Sequence, residues 1–314
     1  MQEQGDFSKR NLVDLSELSN QPTKVRELAN RLQRAVAFET IFVRGIDGAI
    51  RYGPYFSTFW IYGLTDPERA RIIKSGYFWL RHIDDIADGD KPVPTDYSSR
   101  KEYLEGRREI VNALASGSTA IGDKQDIMLL DYLLTAKRLG FDLSGESLAI
   151  LDTMIIDEER SRTGRILTQQ ELTEYYDKLD YACIDGALKV AGEGYTSKDL
   201  EDLSMAVRTR FNLHDLTRDL KAGIINVPRE DIARYGIDLA MCARLQRVEQ
   251  LFTYEPMRIW YEDQVAFGLD ALQRAKDKLR IMRLKWQTRL ALDFVFAKPA
   301  EKTFRRYKGL LASQ

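Results

Sequence analysis

The chemistry that this chain could perform is concentrated in two short acidic motifs. The first, LRHIDDIADG, places Asp84 and Asp88 four residues apart, and the second, NLHDLTRDLKAG, gives Asp215 and Asp219 the same spacing. Because an α-helix has about 3.6 residues per turn, side chains four residues apart project from one face. Each motif therefore predicts a pair of carboxylates on one face of a helix.

Carboxylate pairs of this kind suit Mg²⁺, a hard cation whose coordination is usually completed by water and substrate phosphate. We expect the two helices to face each other and to hold roughly two or three Mg²⁺ ions around a diphosphate. Arg81, Arg218 and Lys221 would donate to the diphosphate oxygens. Metal and cations together would neutralise the charge that builds as a carbon–oxygen bond breaks. The expected metal ligands are Asp84, Asp85, Asp88, Asp215 and Asp219.

The residues around the motifs argue against solvated faces of surface helices. In YFWLRHIDDIAD the acids alternate with Trp79, Ile83 and Ile86, so this helix is apolar nearly all round and should be buried. Buried carboxylates without a partner are costly, and the second motif has a similar setting. A carbocation left by ionisation would need an aromatic-lined pocket, which the 15 Tyr, 13 Phe and 4 Trp can supply.

Helical periodicity dominates the chain, and alternating strand patterns are nearly absent. Thr65 or Asp66 could cap a helix that begins at Pro67, and Thr196 or Ser197 could cap another. No Gly/Ser-rich linker is visible, so we predict one all-α domain over residues 21–314 after a flexible tail at 1–20. The predicted helices are 23–47, 67–89, 97–116, 122–139, 146–160, 168–192, 197–221, 228–235, 238–276, 280–297 and 299–312.

Composition narrows the class of protein. Lys+Arg 47 against Asp+Glu 48 gives a net charge of -1, which offers no general attraction for nucleic acid. The two cysteines form no metal-like cluster, so we expect reduced thiols and a cytoplasmic protein. The polar start is unlike a signal peptide, and no stretch approaches the length of a membrane span, which leaves peripheral membrane contact open. Segment 238–276 could form a dimer face or pack internally, so monomer and homodimer both remain open.

The two motifs resemble those of the squalene/phytoene synthase family. That family pairs an Arg-x-x-Asp-x-x-x-Asp helix with a later Asn-x-x-Arg-Asp helix; this chain has RHIDDIAD at 81–88 and DLTRD at 215–219. MIIDEERSRTGRILTQQELTEYYDKL at 154–179 and KAGIINVPREDIARYG at 221–236 are also similar to family segments. The resemblance covers roughly residues 50–240.

The resemblance implies the class I isoprenoid synthase fold, a single-domain helical bundle around a central cavity. It also implies Mg²⁺ and allylic substrates such as farnesyl or geranylgeranyl diphosphate. Family members usually join two such substrates head to head, and some then reduce the product with NADPH, whose use here stays open. By position, Ser57, Tyr175 and Tyr176 would contact substrate, with Asp157 before the tyrosines.

Three departures from the family pattern bear on the reaction. Gly223 stands where the family carries a further acid, in a link that is about four residues shorter than the family's, and Asp215 occupies the usual Asn position. Asp180 and Asp185 stand where apolar residues normally line the chain tunnel, and their role is open.

Because the family's further acid is absent at Gly223, several functions remain open for this chain. Head-to-head joining is the first interpretation, although it needs room for two diphosphates. Transfer of one prenyl group to a different acceptor, such as an aromatic compound, would tolerate the loss, as would a terpene cyclase. An aromatic acceptor needs a base, for which His214 is a better candidate than His82. A non-catalytic assembly or binding protein of the same fold is the remaining alternative.

Overall fold

The secondary structure is almost entirely helical. The computed structural model describes residues 13–14, 21–39, 59, 61–117, 120–245 and 247–313. Within them, the exception is a two-residue antiparallel pair, in which β1 (Val13–Asp14) pairs with β2 (Ala120–Ile121). The predicted all-α fold class is therefore confirmed. Ser57 and, apart from β1, the predicted tail lie outside the described residues.

The chain divides into two compact units, Met1–Ile155 and Ile156–Gln314. The prediction of one domain around a central cavity stays a prediction. The helices of the first unit are α1 (Pro22–Phe38), α2 (Pro67–Ala87), α3 (Arg100–Ala115), α4 (Asp126–Arg138) and most of α5 (Ser144–Thr163), which continues into the second. The second unit contains α6 (Gln169–Asp180), α7 (Gly186–Ala191), α8 (Glu201–Ala222), α9 (Arg229–Tyr235), α10 (Leu239–Cys242), α11 (Val248–Leu251), α12 (Glu255–Ile281), α13 (Trp286–Ala291) and α14 (Lys298–Ala312).

In the first unit, α2 packs against α1 and α4. Asp66 is its N-cap and accepts a hydrogen bond from the Arg69 amide at 3.1 Å, with Pro67 in the first turn, as the sequence predicts. Trp79 and Ile83 of α2 are fully buried in the core of this unit. The first acidic motif thus lies on a helix that is fixed by its cap and by its apolar face.

In the second unit, α8 packs along α12, and α12 packs against α14. A 3₁₀ turn (Ser197–Leu200), closed by a capping box between Thr196 and Asp199, leads into α8. Leu213, Leu216 and Leu220 of α8 are buried in the core. Because these leucines face inward, the neighbouring carboxylates of the second motif are held at a defined position.

Two predicted helices are wrong. The segment predicted as one helix at 238–276 contains α10, α11 and most of α12, with breaks between them. The segment predicted at 280–297 is split, because α12 continues to Ile281 and α13 begins at Trp286. The other predicted helices differ by no more than about four residues at their ends, except that residues 40–47 lie outside the described residues.

The helix boundary predicted before Pro299 is also absent. A π-helix, Leu292–Ala297, joins α13 directly to α14. Proline inside an α-helix loses a hydrogen bond and clashes with the carbonyl four residues earlier, and the wider π turn just before Pro299 accommodates it. The buried positions follow α spacing on either side of the π turn, with Thr288 and Leu292 four apart and Ala300 and Phe304 four apart.

A second π-helix, Tyr181–Asp185, joins α6 to α7. No helix among the described residues combines the length and the apolar character needed to cross a membrane.

Candidate functional site

The first acidic motif occupies the last turn of α2, in the first unit. The Arg81 guanidinium donates to Asp84 Oδ2 at 2.7 Å and also to Asp85 Oδ1. The Arg81 side chain is only 10% exposed, whereas that of Asp84 is 36% exposed. Asp88 is exposed and is the C-cap of the helix. Asp84 and Asp88 are thus the carboxylates of this motif that reach solvent.

Asp85 has a different environment from its neighbours. It is buried, and its Oδ2 lies 3.5 Å from Lys91 Nζ in addition to the Arg81 contact. The Lys91 amide donates to the Asp85 carbonyl at 2.8 Å. Asp85 therefore fixes Arg81 and the turn that follows the helix, and its role as a metal ligand stays a prediction.

The second acidic motif lies in the last two turns of α8, in the second unit. Arg218 Nη2 is 3.6 Å from Asp215 Oδ2 and 3.3 Å from Asp219 Oδ1. One guanidinium bridges both carboxylates, so the predicted placement of this pair on one face is confirmed. Both carboxylates are largely buried, while Arg218 and Lys221 are exposed. The pair can thus share a cation.

Asp219 is held from a second direction by the turn after α8. Asn226 Nδ2 donates to Asp219 Oδ2 at 3.4 Å. Burial raises the pKa of Asp219 to about 6; the nearby Asp215 and Asp157 carboxylates act in the same direction, and Arg218 opposes them. Three acids of this unit are therefore electrostatically coupled.

A buried arginine, Arg160, connects this turn to Asp157. It donates to Asp157 Oδ1 at 2.9 Å, to the Ile225 carbonyl at 2.6 Å and to Asn226 Oδ1 at 2.9 Å. The Tyr175 hydroxyl donates to Asp157 Oδ2 at 2.7 Å, and the Arg160 guanidinium lies 5.6 Å from the Tyr175 ring centre. Tyr175 and Asp157 are thus linked to Asp219 through Arg160 and Asn226. The sequence gives no role to either linking residue; only the three-residue spacing of Asp157 and Arg160 hints at a pair.

Tyr176 is oriented differently from Tyr175. Its hydroxyl donates to Asn212 Oδ1 at 2.7 Å, and Arg208 lies 5.2 Å from its ring centre. Arg208 Nη1 is also 3.8 Å from Asp180 Oδ2, and burial raises the pKa of Asp180. Tyr176 is buried, so of the two tyrosines Tyr175 is the more accessible.

Asp185 has a structural contact. Its Oδ1 accepts a hydrogen bond from the Ser197 amide, at the start of the 3₁₀ turn before α8. An otherwise orphan amide of that turn is satisfied by this carboxylate.

The two histidines differ in exposure. His214 is exposed, and its Nδ1 is 3.0 Å from Asp215 Oδ1. His82 has two buried ring nitrogens without a hydrogen-bond partner among the described residues. Burial lowers the pKa of His82, whereas the nearby Asp123 and Asp85 carboxylates raise it to a smaller extent. His214 therefore has the arrangement of a base that a carboxylate orients.

Gly223, where the resemblance leads one to expect an acid, ends α8. Its φ is +78°, a left-handed conformation that favours glycine. A Cβ at this position would lie 2.9 Å from the Ser161 carbonyl oxygen, and Ser161 Oγ donates to the Ala222 carbonyl at 2.6 Å. The close approach of α5 and the left-handed turn together exclude a side chain here.

The donor chemistry of both motifs fits Mg²⁺, with one restriction. Among the described residues, no group of three His, Cys, Asp or Glu side chains could hold a metal ion. Mg²⁺ is commonly bound by one or two carboxylates together with substrate phosphate and water. The Asp215–Asp219 pair therefore fits a Mg²⁺ site that substrate would complete, and the same role for Asp84 and Asp88 stays a prediction.

Comparison with known proteins identifies the fold. No protein-family model matches the sequence, and a search of curated proteins finds no match. The structure is similar to the crystal structure of squalene synthase HpnC from Alicyclobacillus acidocaldarius, with a TM-score of 0.62 and 16% identity over 94% of each chain. The chain thus has the all-α fold of a squalene synthase, as its motifs predict.

Proposed function

We propose that this protein is a Mg²⁺-dependent prenyltransferase that ionises an allylic isoprenyl diphosphate such as farnesyl or geranylgeranyl diphosphate. The observation that carries the proposal is the Asp215–Asp219 pair, whose carboxylates are close enough for Arg218 to bridge them. The squalene synthase fold and the matching Arg81–Asp84 motif on α2 support it.

The proposed roles follow from exposure and charge. Asp84, Asp88, Asp215 and Asp219 bind Mg²⁺, which supplies Lewis-acid neutralisation of the leaving diphosphate. Arg218 and Lys221 are exposed cations on the same helix as the second pair and bind diphosphate oxygens. Arg81 orients Asp84 and also donates to the diphosphate oxygens. Tyr175, held by Asp157, borders the substrate.

For the acceptor, we propose a second isoprenyl diphosphate joined head to head, as in a squalene or phytoene synthase. NADPH would be required only if a reduction follows. One observation favours a second candidate, transfer of a single prenyl group to an aromatic acceptor. His214 is exposed, and its Nδ1 contacts Asp215, so the ring can accept the proton that an aromatic acceptor must lose.

The test is pyrophosphate release from farnesyl or geranylgeranyl diphosphate, with and without Mg²⁺. A hydrocarbon containing two prenyl chains supports head-to-head joining, and release that requires an added aromatic compound supports the second candidate. Asp219→Asn and Asp84→Asn should each lower turnover by about 10²-fold or more, since each removes a charge used in ionisation. Asp202→Asn, also on α8 but paired with Arg274, is the matched control and should retain activity. Full activity in the Asp219 and Asp84 variants, or in EDTA, would refute the proposal.

A further inference from the structure

One surface segment of the second unit combines large exposed apolar side chains with positive charge. The basic–apolar segment, residues 278–292, joins the end of α12 to α13 and contains five basic and no acidic residues. Ile281 is 82% exposed and Trp286 is 60% exposed. Single exposed hydrophobic residues are ordinary on a protein surface, but here two of the most exposed lie five positions apart among cations.

The exposure of these two side chains is fixed by the surrounding backbone contacts. Arg289 donates to the carbonyls of Leu279 and Met282, both at 2.6 Å, and Met282 is buried. The Arg283 amide donates to the Tyr195 hydroxyl at 3.0 Å. The loop is therefore anchored on both sides of the exposed residues, and ordering it on binding costs little further conformational entropy.

The charges beside Ile281 are available to a partner. Arg283 is exposed, and Arg280 pairs only with Asp277 among the described residues, at 2.9 Å, with both side chains more than half exposed. Such a surface pair is weak and screened. Lys285 instead anchors the loop, since its Nζ donates to the Ala191 carbonyl at 2.8 Å.

We propose that the basic–apolar segment docks on an anionic lipid surface, with Ile281 and Trp286 entering the interface and Arg280 and Arg283 contacting lipid phosphates. Trp is favoured at the boundary between headgroups and acyl chains, and basic residues are attracted to anionic leaflets. An apolar insertion combined with a basic cluster is a two-part membrane anchor. A stable protein partner would need about 800 Å² on each side, far more than two side chains supply. This inference is independent of the proposed prenyltransferase activity.

The experiment is co-sedimentation of the full chain with vesicles of phosphatidylcholine, with and without phosphatidylglycerol. We expect binding only to the anionic vesicles, and release at high salt. Arg280→Gln with Arg283→Gln should weaken binding at least tenfold, since each basic residue near an anionic surface contributes about fivefold. Ile281→Ser with Trp286→Ser should weaken it similarly. Leu64→Ser in the first unit is the matched control, because Leu64 is 81% exposed, and it should bind like the wild type.

A second measurement reports insertion directly. Trp79 and Trp260 are buried, and Trp60 lies outside the described residues. In a Trp60→Phe background, quenching by brominated lipid should therefore be lost when Trp286→Phe is added. Absence of binding to anionic vesicles at low salt would overturn the proposal, as would binding that neither double variant weakens. Self-association that Ile281→Ser with Trp286→Ser abolishes, without vesicle binding, would show that a second copy occupies the surface instead.

Discussion

Gly223→Ala should destabilise the second unit more than Gly236→Ala does. Both glycines follow a helix and have a left-handed backbone, with φ of +78° and +69°. An L-residue in that conformation costs roughly 1–2 kcal/mol, and this cost is shared. The two sites differ in their surroundings. A Cβ added at position 223 would lie 2.9 Å from the Ser161 carbonyl oxygen, whereas a Cβ added at position 236 would have no atom within 4 Å. Overpacking of this kind adds about 1–3 kcal/mol.

The assay is urea unfolding followed by tryptophan fluorescence, to which Trp260, buried in the second unit, contributes. We expect a loss of about 1–2 kcal/mol for Gly236→Ala and about 2–5 kcal/mol for Gly223→Ala. Gly223→Asp, which restores the acid of the related family, should cost at least as much as Gly223→Ala and should not raise activity. Equal losses for the two alanine variants would refute the argument that α5 excludes a side chain at position 223.

Two further predictions concern ionisable side chains. Asp126→Asn should lower the free energy of unfolding by about 3–5 kcal/mol. Asp126 is fully buried and accepts a hydrogen bond from the equally buried Arg107 at 2.6 Å, so the variant leaves a buried charge without its partner. A loss below about 1 kcal/mol in urea unfolding would contradict this. Cys183 reaches solvent, yet burial by its surroundings raises the pKa of its thiol to about 12. The reactive thiolate is therefore scarce below that pH, and alkylation by iodoacetamide at pH 8 should be about 10³-fold slower than for an ordinary thiol. Mass spectrometry across pH 7–10 checks this, and rapid modification at neutral pH would contradict it.

Features set by local sequence were predicted well. The caps at Asp66 and Thr196 depend on residues within one turn, and both are confirmed. The spacing of Asp215 and Asp219 determines their shared face in any helix, so their geometry also followed from the sequence. That the two acidic motifs serve one substrate stays a prediction.

Contacts between distant residues could not be predicted in the same way. Arg160 reaches Asn226 across 66 positions, and neither residue belongs to a spacing pattern that would identify the other. The prediction missed the breaks around the short helices α10 and α11 for a related reason. Residues 243–245 are not helical although they include no glycine or proline, and the helical periodicity continues through them. Only tertiary packing distinguishes such a break from a continuous helix.

The C-terminal helical segment, residues 286–312, should tolerate a deletion in the π turn before Pro299 better than a deletion in the α-helix that follows. Removing one residue within Leu292–Ala297 would convert the turn to ordinary α spacing and leave Thr288 and Phe304 on the same side. Removing one residue within α14 ahead of Phe304 would rotate everything beyond it by about 100° and turn that ring away from the core. Natural deletions in relatives of this chain should therefore accumulate at the wide turn.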